Sequence, residues 1–221
     1  MSSSAKPVDK NEDIVRFDAA GATLEGNLIV PDGARGVVVF AHGSGSSRFS
    51  TRNRFVAGAL REGGLGTLLI DLLTRDEERI DAYTAQLRFD IGMLARRVGA
   101  AVAWLRRAQP QHAIGLFGAS TGGGAALVAA ADAPDDIAAV VSRGGRPDLA
   151  DTALPLVKAP TLLIVGGDDD VVIDLNQQAY DRMHCERRME IVPGASHLFE
   201  EPGTLERVAA LAREWFTRYL R

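Results

Sequence analysis

The stretch AIGLFGASTGGGAALVAAA at residues 113–131 decides how this chain is read. Ala113–Phe117 is a compact apolar run of strand length, and residues 121–131 are small and compatible with a helix. Between them stands Gly118-Ala119-Ser120-Thr121-Gly122, the pattern G-x-S-x-G in the strand-to-helix setting that it needs. A serine hydroxyl is a poor nucleophile unless it is held clear of the backbone and beside a base. A sharp turn from strand to helix does the holding. The residues two before and two after crowd such a turn and must be small, and here both are glycine. The helix N-terminus behind Ser120 adds positive potential and free N–H groups. The competing reading is a glycine-rich packing turn with an incidental serine, and the strand and helix on either side argue against it.

Outward from this centre, strands and helices alternate. On the N-terminal side, short strands are expected at 14–17 and 23–30 around a turn at Ala20–Gly21, then at 36–41 and 66–71. A helix is expected at 53–62, closed by Gly63–Gly64. Another is expected at 88–107, where Ile91, Leu94, Ala95, Val98, Val102 and Leu105 share one side and Pro110 follows. On the C-terminal side, strands are expected at 137–142, 160–165 and 189–192, with helices at 174–184 and 204–220. Asp174 and Gln177 have the spacing of a capping box. This alternation predicts an α/β fold: a mainly parallel sheet of about seven to eight strands with helices on both faces. Residues 14–221 read as one domain and residues 1–13 as a flexible arm. Ligands of such sheets bind at the carboxyl ends of the strands.

Composition narrows the class of function. Of 221 residues, 46% are hydrophobic and 24% charged, enough apolar side chain for a sizeable core. A net charge of −4 argues against a nucleic-acid or anionic-membrane binder. No apolar run reaches the ~18–20 residues that span a bilayer, and the first thirteen residues lack the apolar core of a secretory signal. The cytoplasm is the expected location. Cys185 is the single cysteine, which excludes an internal disulfide and a multi-cysteine metal cluster. It reads as a small buried hydrophobe on a helix.

A serine nucleophile needs a base, and the base an orienting acid. Of four histidines, His197 lies in a small loop just after the last strand, at the carboxyl edge of the sheet. His112 precedes a strand and falls at the opposite edge, and His184 ends a helix. His42 ends a strand on the correct edge but leads into Gly43-Ser44-Gly45, where it reads as a structural residue. The acid should end a strand between Ser120 and His197, and Asp168-Asp169-Asp170 follow the strand at 160–165. Two N–H groups are needed for the developing oxyanion. Thr121, just after the serine, offers one and Ser44 the other.

The order Ser120, aspartate, His197, with a candidate oxyanion loop before all three, is the order of the α/β-hydrolase fold. At these residues the chain resembles the α/β-hydrolase superfamily, and within it the small dienelactone-hydrolase-like branch. The resemblance runs from Phe40 to Leu220 and is carried by AHGSGSS at 41–47, GASTGGGAAL at 118–127, PTLLIVGGDDDVVIDLN at 160–176 and VPGASHLFEEPG at 192–203. The acid of that family stands in a G-x-x-D-x-x-V stretch, which Gly166, Asp169 and Val172 fit, so the resemblance selects Asp169. It implies hydrolysis of an ester or lactone, a small molecule, through a covalent acyl-enzyme without metal or organic cofactor. Dienelactone hydrolases proper carry a cysteine where this chain has Ser120, so a serine carboxylesterase is the expected variant. An acyltransferase with the same groups and a non-catalytic binding protein on the same fold are the rival readings. Fewer than about 20 residues separate the strand ending at Ser142 from that starting near Thr161, too few for a cap domain. An open site for short or accessible esters is expected. Arg143 and Arg146 follow a strand at the same edge and are candidates to bind a carboxylate on the substrate. Arg48, Arg52 and Arg54, near the oxyanion loop, share that ambiguity on weaker grounds.

Overall fold

The structure, a computed structural model, describes residues 12–19 and 21–221. The expected arm lies outside the described residues over positions 1–11, as does Ala20 of the expected turn. Its last two residues are not free. Asp13 opens the first strand, and the Glu12 carboxylate accepts hydrogen bonds from Asn27 at 2.6 Å and Arg54 at 3.2 Å.

Eight strands form one sheet: β1 (Asp13–Ala19), β2 (Ala22–Ile29), β3 (Gly36–Ala41), β4 (Gly66–Ile70), β5 (Ala113–Ala119), β6 (Ile137–Arg143), β7 (Thr161–Gly166) and β8 (Arg187–Val192). Their order is β1-β2-β4-β3-β5-β6-β7-β8, antiparallel across β1-β2 and β2-β4 and parallel from β4 onward. Strands β3, β4 and β7 are buried at every position, and β5 and β6 at all but one each, as their apolar runs require in a sheet covered on both faces.

The helices are α1 (Thr51–Glu62), α2 (Arg75–Thr84), α3 (Ile91–Ala108), α4 (Thr121–Asp132), α5 (Asp170–Arg182) and α6 (Thr204–Tyr219). One face of the sheet carries α1 and α6. The stripe Val56, Ala57 and Leu60 of α1 and the stripe Val208, Leu211, Ala212 and Trp215 of α6 pack there with Phe40, Phe117 and Val141. On the other face α3 buries Leu94, Val98, Val102 and Leu105 against α4 and the strands. The α4 helix is buried almost all round because its glycines and alanines leave no bulk to hold neighbours away.

The structure departs from the sequence expectations at α2, α5 and Cys185. The α2 helix lies where the sequence pattern predicts no element, although Thr74 and Glu77 form a complete capping box at its start. Buried Arg97 of α3 pins it there, donating to the Leu72 carbonyl at 2.6 Å and to both Glu77 carboxylate oxygens. The α5 helix begins at Asp170, not Asp174, so the spacing of Asp174 and Gln177 is not a cap. A 3-10 segment at Pro147–Leu156 fills the gap between β6 and β7. It is no cap domain. Cys185 lies in the loop between α5 and β8, not on a helix, half-buried at the edge of the core. Among the described residues no helix is long and apolar enough to cross a membrane.

Candidate active site

Ser120 stands between β5 and α4 with φ 51° and ψ −123°, a strained conformation for any residue but glycine. The strain persists because the surroundings leave the turn one path. A Cβ on Gly118 would fall 2.4 Å from the Gly122 carbonyl oxygen, and one on Gly122 would fall 2.4 Å from the Ala41 carbonyl oxygen. The backbone of Ser120 is also held from the end of β6 and the loop after it: its N–H donates to the Arg143 carbonyl at 3.3 Å, and its carbonyl accepts from Arg146 N–H at 3.0 Å. Asn176, fully buried on α5, steadies the same loop by donating to the Gly145 carbonyl at 3.0 Å. The sequence carried no local signal for this role of Asn176.

Asp169 follows β7 and His197 follows β8. The parallel pairing of these strands sets Gly166 beside Val192 and brings the two following loops together. Asp168 N–H donates to the Ala195 carbonyl at 3.0 Å, and Ser196 N–H to the Glu201 carboxylate at 3.0 Å. Within this frame His197 Nδ1 donates to Asp169 Oδ2 at 2.7 Å. That leaves Nε2 of a neutral ring as the acceptor. Asp169 is mostly buried and Asp168 is exposed, so the structure separates the two aspartates that local sequence could not. Ser120 and His197 line one cavity of about 240 Å³, together with Gly43, Ser44, Arg52, Asn53, Arg143 and Leu198.

The loop after β3 passes over Ser120, and Gly43 packs against the Ser120 Cβ. The Ser44 hydroxyl lies 3.1 Å from the Thr121 hydroxyl, which joins the two proposed donor residues directly. Thr121 is the first residue of α4, so its N–H has no acceptor within that helix. His42 is structural, as expected. Its Nε2 accepts from Leu72 N–H at 3.0 Å and its Nδ1 contacts the Gly43 carbonyl at 2.9 Å, so the ring is neutral with its proton on Nδ1. Burial pushes its pKa below the ordinary histidine value. Buried Arg48 anchors the far end of the loop, donating to Asn27 at 2.8 Å and Glu25 at 2.7 Å and pairing with Asp71. Arg48 is thus a structural residue, and Arg54 is engaged by Glu12.

Beyond the loop lies a larger cavity of about 500 Å³. It shares Gly43, Ser44, Ser46 and Ser50 with the smaller one and is walled by Leu72, Leu73, Leu94, Glu78 and the ion-paired Asp81 and Arg88. Burial, with the nearby Asp71 charge, raises the Glu78 pKa. Glu78, Asp81 and Arg88 come to this wall from α2 and the turn after it, elements that the sequence periodicity does not mark, while Leu94 comes from α3. Among the described residues no group of three or more His, Cys, Asp or Glu side chains is arranged to hold a metal ion.

The sheet order, the strained serine turn and the loops after β7 and β8 define an α/β hydrolase without a lid. The sequence model of the dienelactone hydrolase family matches residues 24–220, and the chain belongs to that family. A crystal structure of a dienelactone hydrolase from Anabaena variabilis is 59% identical, with a TM-score of 0.93 over 95% of this chain and 98% of that one. An α/β serine hydrolase without lid from Xanthomonas campestris shares the fold at 20% identity, with a TM-score of 0.76 over 98% of each chain. Two Mycobacterium tuberculosis proteins named "Putative phosphoribosyl transferase" are 53% identical over 223 residues, covering all of this chain and 49% of their own length. The chain therefore spans about half the length of these curated relatives.

Proposed function

We propose that this hydrolase cleaves carboxylic esters or lactones of small molecules through a covalent acyl-enzyme on Ser120. The observation that carries the reading is the 2.7 Å bond from His197 to Asp169, with His197 and the strained Ser120 on one cavity. In this scheme His197 Nε2 takes the Ser120 proton as Oγ attacks the ester carbonyl. Asp169 holds the ring in the right tautomer and stabilises the imidazolium. The N–H groups of Ser44 and Thr121 receive the oxyanion. His197 then protonates the departing alcohol, and a water activated by the same ring releases the acid. The scheme uses no metal or organic cofactor. Its substrates are short or open esters, since no cap domain covers the site.

The His197 side chain is 37% exposed, so the reading takes solvent water as the acceptor that releases the acyl group. The name of the Mycobacterium tuberculosis relatives describes proteins about twice as long, so it does not by itself assign phosphoribosyl transfer to these residues. The test is intact mass after treatment with a fluorophosphonate. One adduct on the wild type and none on Ser120→Ala is expected. A folded wild type that takes no adduct would overturn the reading.

A further inference from the structure

Arg143 and Arg146 look equivalent in the sequence, and the structure gives them opposite environments. Arg146 is charge-paired: Nε donates to Asp148 Oδ1 at 2.8 Å and Nη2 to Oδ2 at 2.7 Å. Arg143, the last residue of β6, is 5% exposed and has no carboxylate partner among the described residues. Its side chain donates only to the Asn53 amide oxygen, at a long 3.3 Å, and its buried Nε has no partner. Its guanidinium carbon lies 5.7 Å from the centre of the Phe199 ring. Burial, with the Arg52 charge beside it, pushes its pKa down to about 10, so it is still a cation at neutral pH.

A buried cation costs free energy unless an anion and hydrogen bonds compensate it. Arg143 has the long bond to Asn53 and the Phe199 ring, but no anion among the described residues. Its register partner across β5 is Ala119, the residue before Ser120, and it lines the 240 Å³ cavity with Ser120 and His197. Arg52 lines the same cavity, engaged at its outer side by Glu200 at 3.1 Å. Among the described residues no carboxylate lines this cavity. Asp169 and Glu200 are engaged by its lining residues His197 and Arg52, and Glu78 and Asp81 line the larger cavity.

The side of the cleaved bond follows from the acyl-enzyme reading of Ser120, on which this inference rests. The departing alcohol must pass His197 to receive its proton, and His197 lines the Arg143 cavity and not the larger one. We propose that Arg143 is a specificity-determining residue that binds an anionic group, a carboxylate or a phosphate, on the alcohol half of the substrate ester. A planar guanidinium with free donors suits either oxyanion.

The experiment compares kcat/KM for the butyryl esters of glycolate, of glycolamide and of 2-hydroxyethyl phosphate, and for monoethyl succinate, whose charge is on the acyl half. The wild type is expected to prefer at least one anionic-alcohol ester to the glycolamide ester by about tenfold or more, chiefly through KM. The faster of the glycolate and phosphate esters identifies the anion, and either supports the proposal. Arg143→Gln should bring the ratio close to one, Arg143→Lys should keep part of it, and Arg146→Gln should keep all of it. If Arg143→Gln does not fold, Arg143→Met fills the same space without charge. Equal rates of the wild type on charged and neutral alcohols, a preference that survives loss of the Arg143 charge, or an equal preference for monoethyl succinate would each overturn the proposal. Fluorophosphonate labelling of the same wild-type sample separates the two failures. Labelling with no anion preference defeats this inference alone, and absent labelling defeats the acyl-enzyme reading beneath it.

Discussion

Asp169 occupies the N-cap position of α5, yet its carboxylate makes no bond to that helix and instead accepts from His197 at 2.7 Å. An aspartate there ordinarily caps the first turn, a contribution of about 1 kcal/mol. Here the carboxylate serves a ring that arrives from another strand. Asp169→Asn should therefore lower kcat by about 10³–10⁴-fold by upsetting the histidine tautomer. Because no cap is lost, thermal stability should change little. Exposed Asp168 should tolerate the same substitution with less than about a twofold effect on activity. Steady-state kinetics on a short ester, with unfolding curves for both variants, decides the point. A larger loss in Asp168→Asn would assign the acid to the wrong aspartate.

The turn at Ser120 depends on backbone approaching backbone. A methyl at Gly122 meets the carbonyl oxygens of Ala41 and His42 at 2.4 and 2.5 Å. The Ala41 carbonyl cannot retreat, because Ala41 is paired in the centre of the sheet. Gly122→Ala should cost about 1–3 kcal/mol of stability. It should also suppress fluorophosphonate labelling in the fraction that folds. Unchanged melting temperature and labelling would refute this account of the turn.

His42 links the candidate oxyanion loop to the end of β4 as a neutral ring. Burial holds its folded pKa below the unfolded value near 6.5. Below pH 6.5 the unfolded chain then binds a proton that the folded chain refuses. Stability contributed by His42 is present above that pH and lost as the pH falls through its depressed folded pKa. Denaturant unfolding between pH 7.5 and about pH 5 should show a decline that is smaller in His42→Gln, where the amide can still accept from Leu72 N–H. Parallel declines in both proteins would exclude His42 as the source.

With no cap domain, the acyl group has only the cavity of about 500 Å³ beyond the Ser44 loop for cover. Hydrolysis of a p-nitrophenyl ester series should be fastest for acetyl to butyryl groups and fall steadily towards palmitoyl. An optimum at palmitoyl would contradict the reading of an open, short-chain site.

Much of the site is legible in the chain because its parts are local. Gly118, Ser120 and Gly122 announce a turn, since the crowding they relieve lies within five residues. The apolar runs at 36–41, 113–117 and 160–165 announce central strands because burial on both faces leaves no room for alternation. The α2 helix is not marked by periodicity because it is polar: only Asp81 of its ten residues is buried. Its capping box is a local signal, but no apolar stripe follows it to define a helix.

By itself the sequence determined the α/β alternation, the order of the candidate serine, aspartate cluster and histidine, and the strand ends on which they stand. These follow from side-chain periodicity and turn chemistry, which act over a few residues. The tertiary structure decided what depends on neighbours far apart in the chain. It singled out Asp169 from Asp168 by which carboxylate the loop after β8 can reach. It made Arg48 a structural anchor through partners 21 and 23 residues away. It also divided Arg146, neutralised by Asp148, from Arg143, left charged and unpaired at the cavity wall. Two arginines three residues apart are alike in sequence. The free energy of each is set by the charges and solvent around it, and only the folded chain supplies those.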